Sequence, residues 1–268
     1  MKIVYGLATA LLLTLSAGPR WAIAQEHPPA GGGVSETDLA KANNPLADLS
    51  SINLQNYHSE SLYGVPDETT NSFLLRGAMA KGRQLIRVTL PVNTVPTTGE
   101  PASGLGDLNV FDIFVLNPQA KTFQYGVGPL LVFPTASDDE LGQGKFQVGA
   151  AGIIVRALPG GSLFAGLLTW QTDVAGDEDR DDTNYLTFQP NVILQVGGGF
   201  YVRSTGVWTR DFKRNVTLIP FGLGIGKVFR VGGLVANVFA EPQLTVYHKG
   251  DAQPARQLFT GINFQLPK

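Results

Sequence analysis

The stretch YGVGPLLVFPTASDDELGQGKFQVGAAGIIV, residues 125–155, contains two glycine-rich apolar segments on either side of an acidic loop. Each segment is too short, and too often interrupted by glycine and proline, for a membrane helix, which needs about 20 apolar residues. Every second residue from Phe123 to Phe133 is apolar or aromatic, with Gly126 and Gly128 between them. Because successive side chains of a strand point to opposite faces, the stretch predicts two strands, each with one face suited to lipid.

The same alternation recurs elsewhere in the chain. In residues 183–196 one face would carry Leu186, Phe188, Pro190, Val192, Leu194 and Val196, and the other mostly polar side chains. Residues 83–93 and 256–266 divide in the same way. A soluble β-sandwich alternates too, so this pattern alone does not separate the two classes.

The lengths of the connections between strands distinguish a transmembrane barrel from a soluble β-sandwich better. Turn residues divide the chain into twelve predicted strands, near 51–62, 71–80, 83–93, 106–116, 122–135, 146–157, 162–174, 183–196, 199–210, 214–229, 233–248 and 256–266. The even-numbered connections are short and the odd-numbered ones mostly long, with Asp211 to Lys213 as the exception. Transmembrane barrels have short periplasmic turns and longer extracellular loops, whereas Greek-key sandwiches have no reason to sort their loops.

The sequence therefore predicts an all-β fold, an antiparallel up-and-down transmembrane β-barrel of about twelve strands. Pro129, Pro190, Pro220 and Pro242 fall inside these strands and argue against the exact register. Proline cannot donate a hydrogen bond to a neighbouring strand, so it is usually confined to edges and bulges.

Composition narrows the function classes. Only 16% of the 268 residues are charged, against about 25% in a typical soluble domain. The chain has no cysteine, which removes disulfides, thiol nucleophiles and cysteine-ligated metals. Its net charge of -2, without a basic cluster, argues against a nucleic-acid partner.

The N-terminus predicts export. Lys2 precedes an apolar run, and the small residues Ala22 and Ala24 form a cleavage site, so residues 1–24 read as a signal peptide cleaved after Ala24. Residues 25–48 would form a periplasmic tail or a plug, with a short helix that begins at the capping pair Ser35 and Asp38. Residues 49–268 would form the barrel, in the cell outer membrane.

Seven short stretches resemble one family of bacterial outer-membrane proteins. They are Asn44-Pro45-Leu46, GLGD at 104–107, YGVGP at 125–129, FPTASDDELGQGK at 133–145, IP at 219–220, GKVF at 226–229 and FQLPK at 264–268. Members of this family are associated with MetA-pathway phenol degradation or with transport. The resemblance implies a β-barrel that moves small, often hydrophobic or aromatic, compounds across the outer membrane. It implies no catalytic motif.

The predicted register places a set of polar residues inside the barrel as candidates for a permeation path. They are Arg76, Arg87, Asp112, Gln189, Asn191, Arg203 and Glu241. Shielded charges of both signs must pair or line water, because an unpaired charge in an apolar setting is costly. The set could be a path for solutes or a filling of a narrow barrel. In the first case, Arg87→Ala or Glu241→Ala would alter flux without affecting folding.

Other site types are less well supported. Asp177, Asp179 and Asp181 have the spacing of a calcium loop, but Asp182 replaces its glycine and Phe188 its glutamate. A solvated loop, bridged by cations to lipopolysaccharide, fits these residues better than a metal site. His58 and Ser59 would point to opposite faces of a strand, so a lipid hydrolase is disfavoured. We therefore expect no enzyme and no cofactor, but a channel for small molecules, or alternatively a sealed structural or ligand-binding barrel.

Overall fold

The structure, a computed structural model, describes residues 34–266. The predicted signal peptide and residues 25–33 of the predicted tail lie outside the described residues. The one α-helix among residues 34–266 is α1 (Glu36–Ala42), which is too short to cross a membrane. The β-segments are β1 (Ser50–Leu62), β2 (Thr70–Lys81), β3 (Gln84–Val95), β4 (Ala102–Leu105), β5 (Leu108–Val115), β6 (Phe123–Phe133), β7 (Lys145–Ala157), β8 (Leu163–Gly176), β9 (Asn184–Gly197), β10 (Phe200–Ser204), β11 (Trp208–Asp211), β12 (Val216–Gly222), β13 (Gly224–Val231), β14 (Leu234–Lys249) and β15 (Pro254–Leu266).

These segments form a closed antiparallel barrel of twelve strands. Three barrel strands consist of two segments each: β4 with β5, β10 with β11, and β12 with β13. The barrel closes where β1 pairs with β15, from Ser50 opposite Leu266 to Leu62 opposite Pro254. The predicted fold class is confirmed.

Connections at one end of the barrel are on average longer than those at the other, as predicted, but residues 250–253, predicted as a longer loop, number only four, and residues 116–122 number seven. Residues 82–83, 116–122, 158–162, 198–199 and 232–233 connect strands at one end, which we call the short-turn end. Residues 63–69, 96–101, 134–144, 177–183, 212–215 and 250–253 lie at the other, the long-loop end. The tightest turns use glycines with positive φ, such as Gly198 at 60° and Gly232 at 53°.

The outer face of the barrel is a belt of exposed apolar side chains. Val196, Ile225 and Val246 are each more than 60% exposed, at 64%, 65% and 66%. In the middle of β9 the alternation is clear, because Ile193, which points inward, is 3% exposed and Leu194, which points outward, is 42% exposed. A continuous apolar belt of this kind is what a lipid-facing wall requires.

The four prolines are accommodated by local breaks in the pairing. Pairing of β6 with β5 is interrupted beside Pro129, and pairing of β9 with the β10–β11 strand is interrupted beside Pro190. Pro220 lies at a bulge between β12 and β14, and Pro242 lies where β14 passes from β13 to β12. The predicted strands therefore remain intact. Each proline lies where the pairing with one adjacent strand is interrupted, so that strand does not require the backbone N–H that proline lacks.

Part of the interior of the barrel towards the short-turn end is apolar. There Phe111, Ile113, Leu130 and Ile153 form a buried cluster, and Leu46 enters it from the segment that precedes β1. A second cluster, around Tyr201, Phe239 and Phe259, has Leu39 and Ala42 packed against it. Both clusters thus bring residues of the chain before β1 into contact with the barrel.

Candidate functional site

Six of the seven residues predicted to lie inside the barrel are on its inner face. Arg76 is on β2, Arg87 on β3, Gln189 and Asn191 on β9, Arg203 on β10 and Glu241 on β14. Five of them line a central cavity, and Glu241 is buried against Arg203.

Asp112 is the exception, and its predicted interior position is wrong. Phe111 and Ile113 point inward and are 2% and 0% exposed, so Asp112 between them takes the outer face of β5. It lies opposite Ile86 and accepts a hydrogen bond from Gln84 Nε2 at 3.0 Å. The prediction failed because it assumed a polar interior throughout, whereas this part of the interior is apolar.

Two cavities of about 190 and 230 Å³ lie inside the barrel. The first is lined partly by residues before β1, such as Lys41 and Pro45, and the second by the hydroxyls of Thr89, Thr169 and Thr187. Both are bordered by the same five residues: Arg76, Arg87, Phe111, Leu167 and Gln189. We call these five residues the constriction.

The first cavity has chemically different walls. Leu85, Phe111, Ile153 and Leu167, from β3, β5, β7 and β8, form an apolar wall. Amide side chains on β1, β15 and β9 line it as well: Asn53, Gln55, Asn263, Gln265, Gln189 and Asn191. The charged lining residues are all cationic, and none of the described residues that line either cavity is acidic.

Arg203 is neutralised within the barrel wall. Its Nε donates to Glu241 Oε2 at 2.7 Å, and its guanidinium lies 3.5 Å from the centre of the Phe239 ring. Glu241 also accepts from the backbone N–H and the hydroxyl of Thr205, each at 2.8 Å, and from Gln243 Nε2 at 2.9 Å. Since Arg203 is 7% and Glu241 0% exposed, this is a buried, hydrogen-bonded ion pair that joins β10 to β14.

Arg76 and Arg87 have no such partner. They are diagonal neighbours on β2 and β3, because Arg76 lies opposite Thr89 and Arg87 opposite Ala78. Arg76 donates to Gln55, and Arg87 lies 4.2 Å from the centre of the Phe111 ring. The Nε atoms of both are buried without a hydrogen-bond partner. The constriction therefore carries two positive charges that no carboxylate balances.

Residues 34–49, which we call the N-terminal segment, dock at the short-turn end. Ser35 caps α1 through a capping box with Asp38, as the sequence predicts. Arg230 Nη2 lies 2.6 Å from Asp38 Oδ2, and Asn237 Nδ2 donates to Asn43 Oδ1 at 2.7 Å. α1 also packs on the 158–162 turn, where a side chain on Gly161 would meet Leu39 at 3.0 Å. Ion-pair, amide and packing contacts together hold the segment.

The Asp38–Arg230 contact makes this docking sensitive to acid. Partial burial opposes the charged form of Asp38, but hydrogen bonds from Arg230 and Ser35 outweigh it and lower the pKa of the carboxyl from 3.8. A depressed carboxyl pKa adds stability above the unfolded value, and this stability disappears as the pH falls through the folded value. We expect a spin label on Ala40→Cys, in this cysteine-free chain, to become partly more mobile as the pH falls from about 5 to about 2.5, while the Asn237–Asn43 contact and the packing on Gly161 keep the segment docked for most of the time. Added Asp38→Asn should give this partial mobility at both pH values, and a label whose mobility does not change with pH in the unsubstituted segment would contradict the expectation.

The acidic residues of the 177–183 loop are held by cations and by their own turn. Asp177 accepts from the Asp179 N–H at 2.9 Å, and Asp181 lies 3.2 Å from Arg214 Nε. Among residues 34–266 no group of three or more His, Asp or Glu side chains could hold a metal. In β1, Ser59 is buried on the inner face, and His58 takes the opposite face.

Two residues that the sequence analysis did not single out shape the long-loop end. Asp107 accepts from the N–H groups of Ala136 and Gln143, at 3.2 and 2.7 Å. Arg180 donates to the carbonyls of Asp139 and Gly142, both at 2.6 Å. Together they hold the 134–144 loop against the barrel. Asp107 belongs to the GLGD stretch, so the motif marked it without indicating its partner.

Solved structures with a similar fold are outer-membrane channels. An outer membrane channel from Pseudomonas putida F1 superimposes with a TM-score of 0.60 at 16% identity, over 90% of this chain and 100% of that one. The NanC porin superimposes with a TM-score of 0.51 at 10% identity, over 81% of this chain and 100% of that one. No family model and no curated protein sequence matches the chain. At these identities the likeness shows the fold alone.

Proposed function

We propose that the chain forms a passive channel for small solutes in the outer membrane. The observation that carries this proposal is the pair of cavities arranged in series and meeting at the constriction. A barrel that only fills its interior has no need for two cavities, each large enough for several water molecules, lined by guanidinium, amide and hydroxyl groups. The apolar outer belt and the fold shared with outer-membrane channels support the same proposal.

The mechanism is diffusion along the polar part of the inner face. A solute that loses water at the constriction regains hydrogen bonds from Gln189, Asn191 and the two arginines, which lowers the cost of passage. Glu241 takes no part in this step, because its carboxylate is already hydrogen-bonded to Arg203 and Thr205.

The location and processing of the chain follow from the sequence analysis. Residues 1–24 would direct export and be removed, and the barrel would lie in the outer membrane with its long loops towards lipopolysaccharide. The N-terminal segment would then lie on the periplasmic side and plug the short-turn end of the barrel. The resemblance to proteins of phenol degradation adds hydrophobic or aromatic molecules as candidate solutes.

The docked N-terminal segment also favours a second candidate, a closed barrel that binds a ligand without passing it. Lys41, Ala42 and Asn43 border the first cavity on the side of the short-turn end, so passage requires this segment to move. The two candidates predict opposite results in a conductance measurement.

We expect refolded protein of residues 25–268 to give discrete single-channel currents in planar bilayers. The physical reason is that hydrated ions can pass through the two cavities whenever the N-terminal segment moves away from the first of them. Liposome swelling with small sugars is the second measurement, since it does not depend on charge. Absence of both currents and swelling, in protein whose gel mobility shows a folded barrel, would favour the binding barrel.

A further inference from the structure

We infer that Arg76, Arg87 and the apolar wall of the first cavity form a binding site for small aromatic or aliphatic monocarboxylates. This inference rests on the proposed function for its role in passage, but the site can be tested without it. It names the class of solute that the constriction would favour.

The first step of the argument is charge. A buried cation is costly unless it is paired, and Arg203 shows how this chain pairs one, with Glu241 at 2.7 Å. Arg76 and Arg87 face a space whose described lining residues include Lys41 and the already paired Arg203 but no acid. An anion from solution is therefore the missing partner at this place, and a cationic solute would be repelled.

The second step is geometry. Guanidinium groups bind carboxylates through parallel N–H donors, and two arginines at diagonal positions can approach one carboxylate together. The two Nε–H groups are buried and not hydrogen-bonded, so each gains a partner if its side chain turns towards a bound carboxylate. Arg76 keeps its orientation through Gln55, and Arg87 through the ring of Phe111.

The third step is the apolar wall beside the arginines. Leu85, Phe111, Ile153 and Leu167 offer hydrocarbon surface next to the two cations. A cavity of about 150 Å³ lined by such residues holds benzene, and the first cavity measures about 190 Å³. A ring or short alkyl chain would bury apolar area there, whereas sulfate or phosphate would leave that wall in contact with water. The combination thus favours an amphipathic monoanion over an inorganic one.

The test uses benzoate as the probe, with benzyl alcohol as its neutral analogue and sulfate as an inorganic anion. Calorimetry on the folded barrel in detergent should show benzoate binding, with benzyl alcohol and sulfate each at least about tenfold weaker. In planar bilayers, benzoate should reduce the chloride current at concentrations that match this affinity.

Variants separate the two parts of the site. The double variant Arg76→Gln and Arg87→Gln should lose about tenfold or more in benzoate affinity, because the charged hydrogen bonds are lost while a polar side chain is kept at each position. Leu167→Asn should weaken benzoate but not acetate. Lys81→Gln, which removes an exposed charge at the end of β2, is the matched control and should change neither. Heat-modifiable gel mobility would show that each variant is folded.

The outcomes are distinct. Equal binding of benzoate and benzyl alcohol, or benzoate binding that survives the double arginine variant, would overturn the site. Sulfate binding as tight as benzoate would overturn the role of the apolar wall. Benzoate binding in calorimetry without any current would support the site and contradict the channel, so failure of the proposed function is distinguishable from failure of this inference.

Discussion

Glu241→Ala is expected to lower the free energy of unfolding of the barrel by about 3–5 kcal/mol. The substitution leaves the Arg203 guanidinium buried and unpaired, and it removes the acceptor for both donors of Thr205. The residues beside the carboxylate, Gly222 and Gly224, have no side chain that could take its place. Urea unfolding of the barrel in lipid vesicles, followed by tryptophan fluorescence, measures the change.

The chain offers a matched control for this prediction. Glu60 forms an ion pair with Arg256 at 3.5 Å in which both side chains are 61% exposed, so Glu60→Ala should cost less than about 1 kcal/mol. A double variant, Arg203→Met with Glu241→Leu, should recover part of the loss, because it removes both charges. Equal stability of Glu241→Ala and Glu60→Ala would contradict the prediction. The sequence analysis expected Glu241→Ala to leave folding intact, and its burial is the reason for the different expectation here.

Deletion of residues 25–48 is expected to raise the single-channel conductance severalfold. The first cavity is bordered towards the short-turn end by Lys41 to Ala47, so removing them joins this cavity to bulk solvent. The barrel itself should survive, because its first strand begins at Ser50 and keeps both of its neighbours. Planar-bilayer recordings of the full and shortened proteins measure the effect.

A milder variant gives the control for the deletion. Arg230→Gln removes the ion pair to Asp38 but keeps the Asn237–Asn43 contact and the packing on Gly161. It should therefore produce brief openings of the larger conductance rather than a permanent one. Identical conductance in the full, shortened and Arg230→Gln proteins would mean that the N-terminal segment does not obstruct the path.

The strands and their outer faces could be predicted from the sequence because every second residue of a lipid-facing strand has to be apolar. Every outward position from Leu186 to Val196 is apolar or proline, and connection lengths that differ on average between the two ends indicate the direction of the strands. The helix start at Ser35 was predictable for a similar reason, since the capping box is local in sequence. Local patterns of this kind do not require knowledge of the partner strand.

The contacts of the interior residues could not be predicted in the same way, because they depend on side chains that are distant in the sequence. Asp112 was misplaced because Phe111 and Ile113 take the inner face of β5, where they belong to a buried apolar cluster that includes Leu46, far away in the chain. The pairing of Glu241 with Arg203 and the absence of a partner for Arg87 are equally invisible in the sequence. Residue type alone gave all these charges the same role, whereas the structure assigns one pair to the wall and leaves Arg76 and Arg87 facing the cavities.

The pairing of β1 with β15 also sets an order of assembly. The two strands that close the barrel are the first and last along the chain, from Ser50 opposite Leu266 to Leu62 opposite Pro254. Closing so long a loop is slow compared with forming neighbouring hairpins, so ring closure should be the late step of folding. The N-terminal segment contacts β14 and the 158–162 turn, which reach their final places only on closure. Insertion of the segment should therefore be the last event in maturation, and a chain caught before it would already hold a complete but unobstructed barrel.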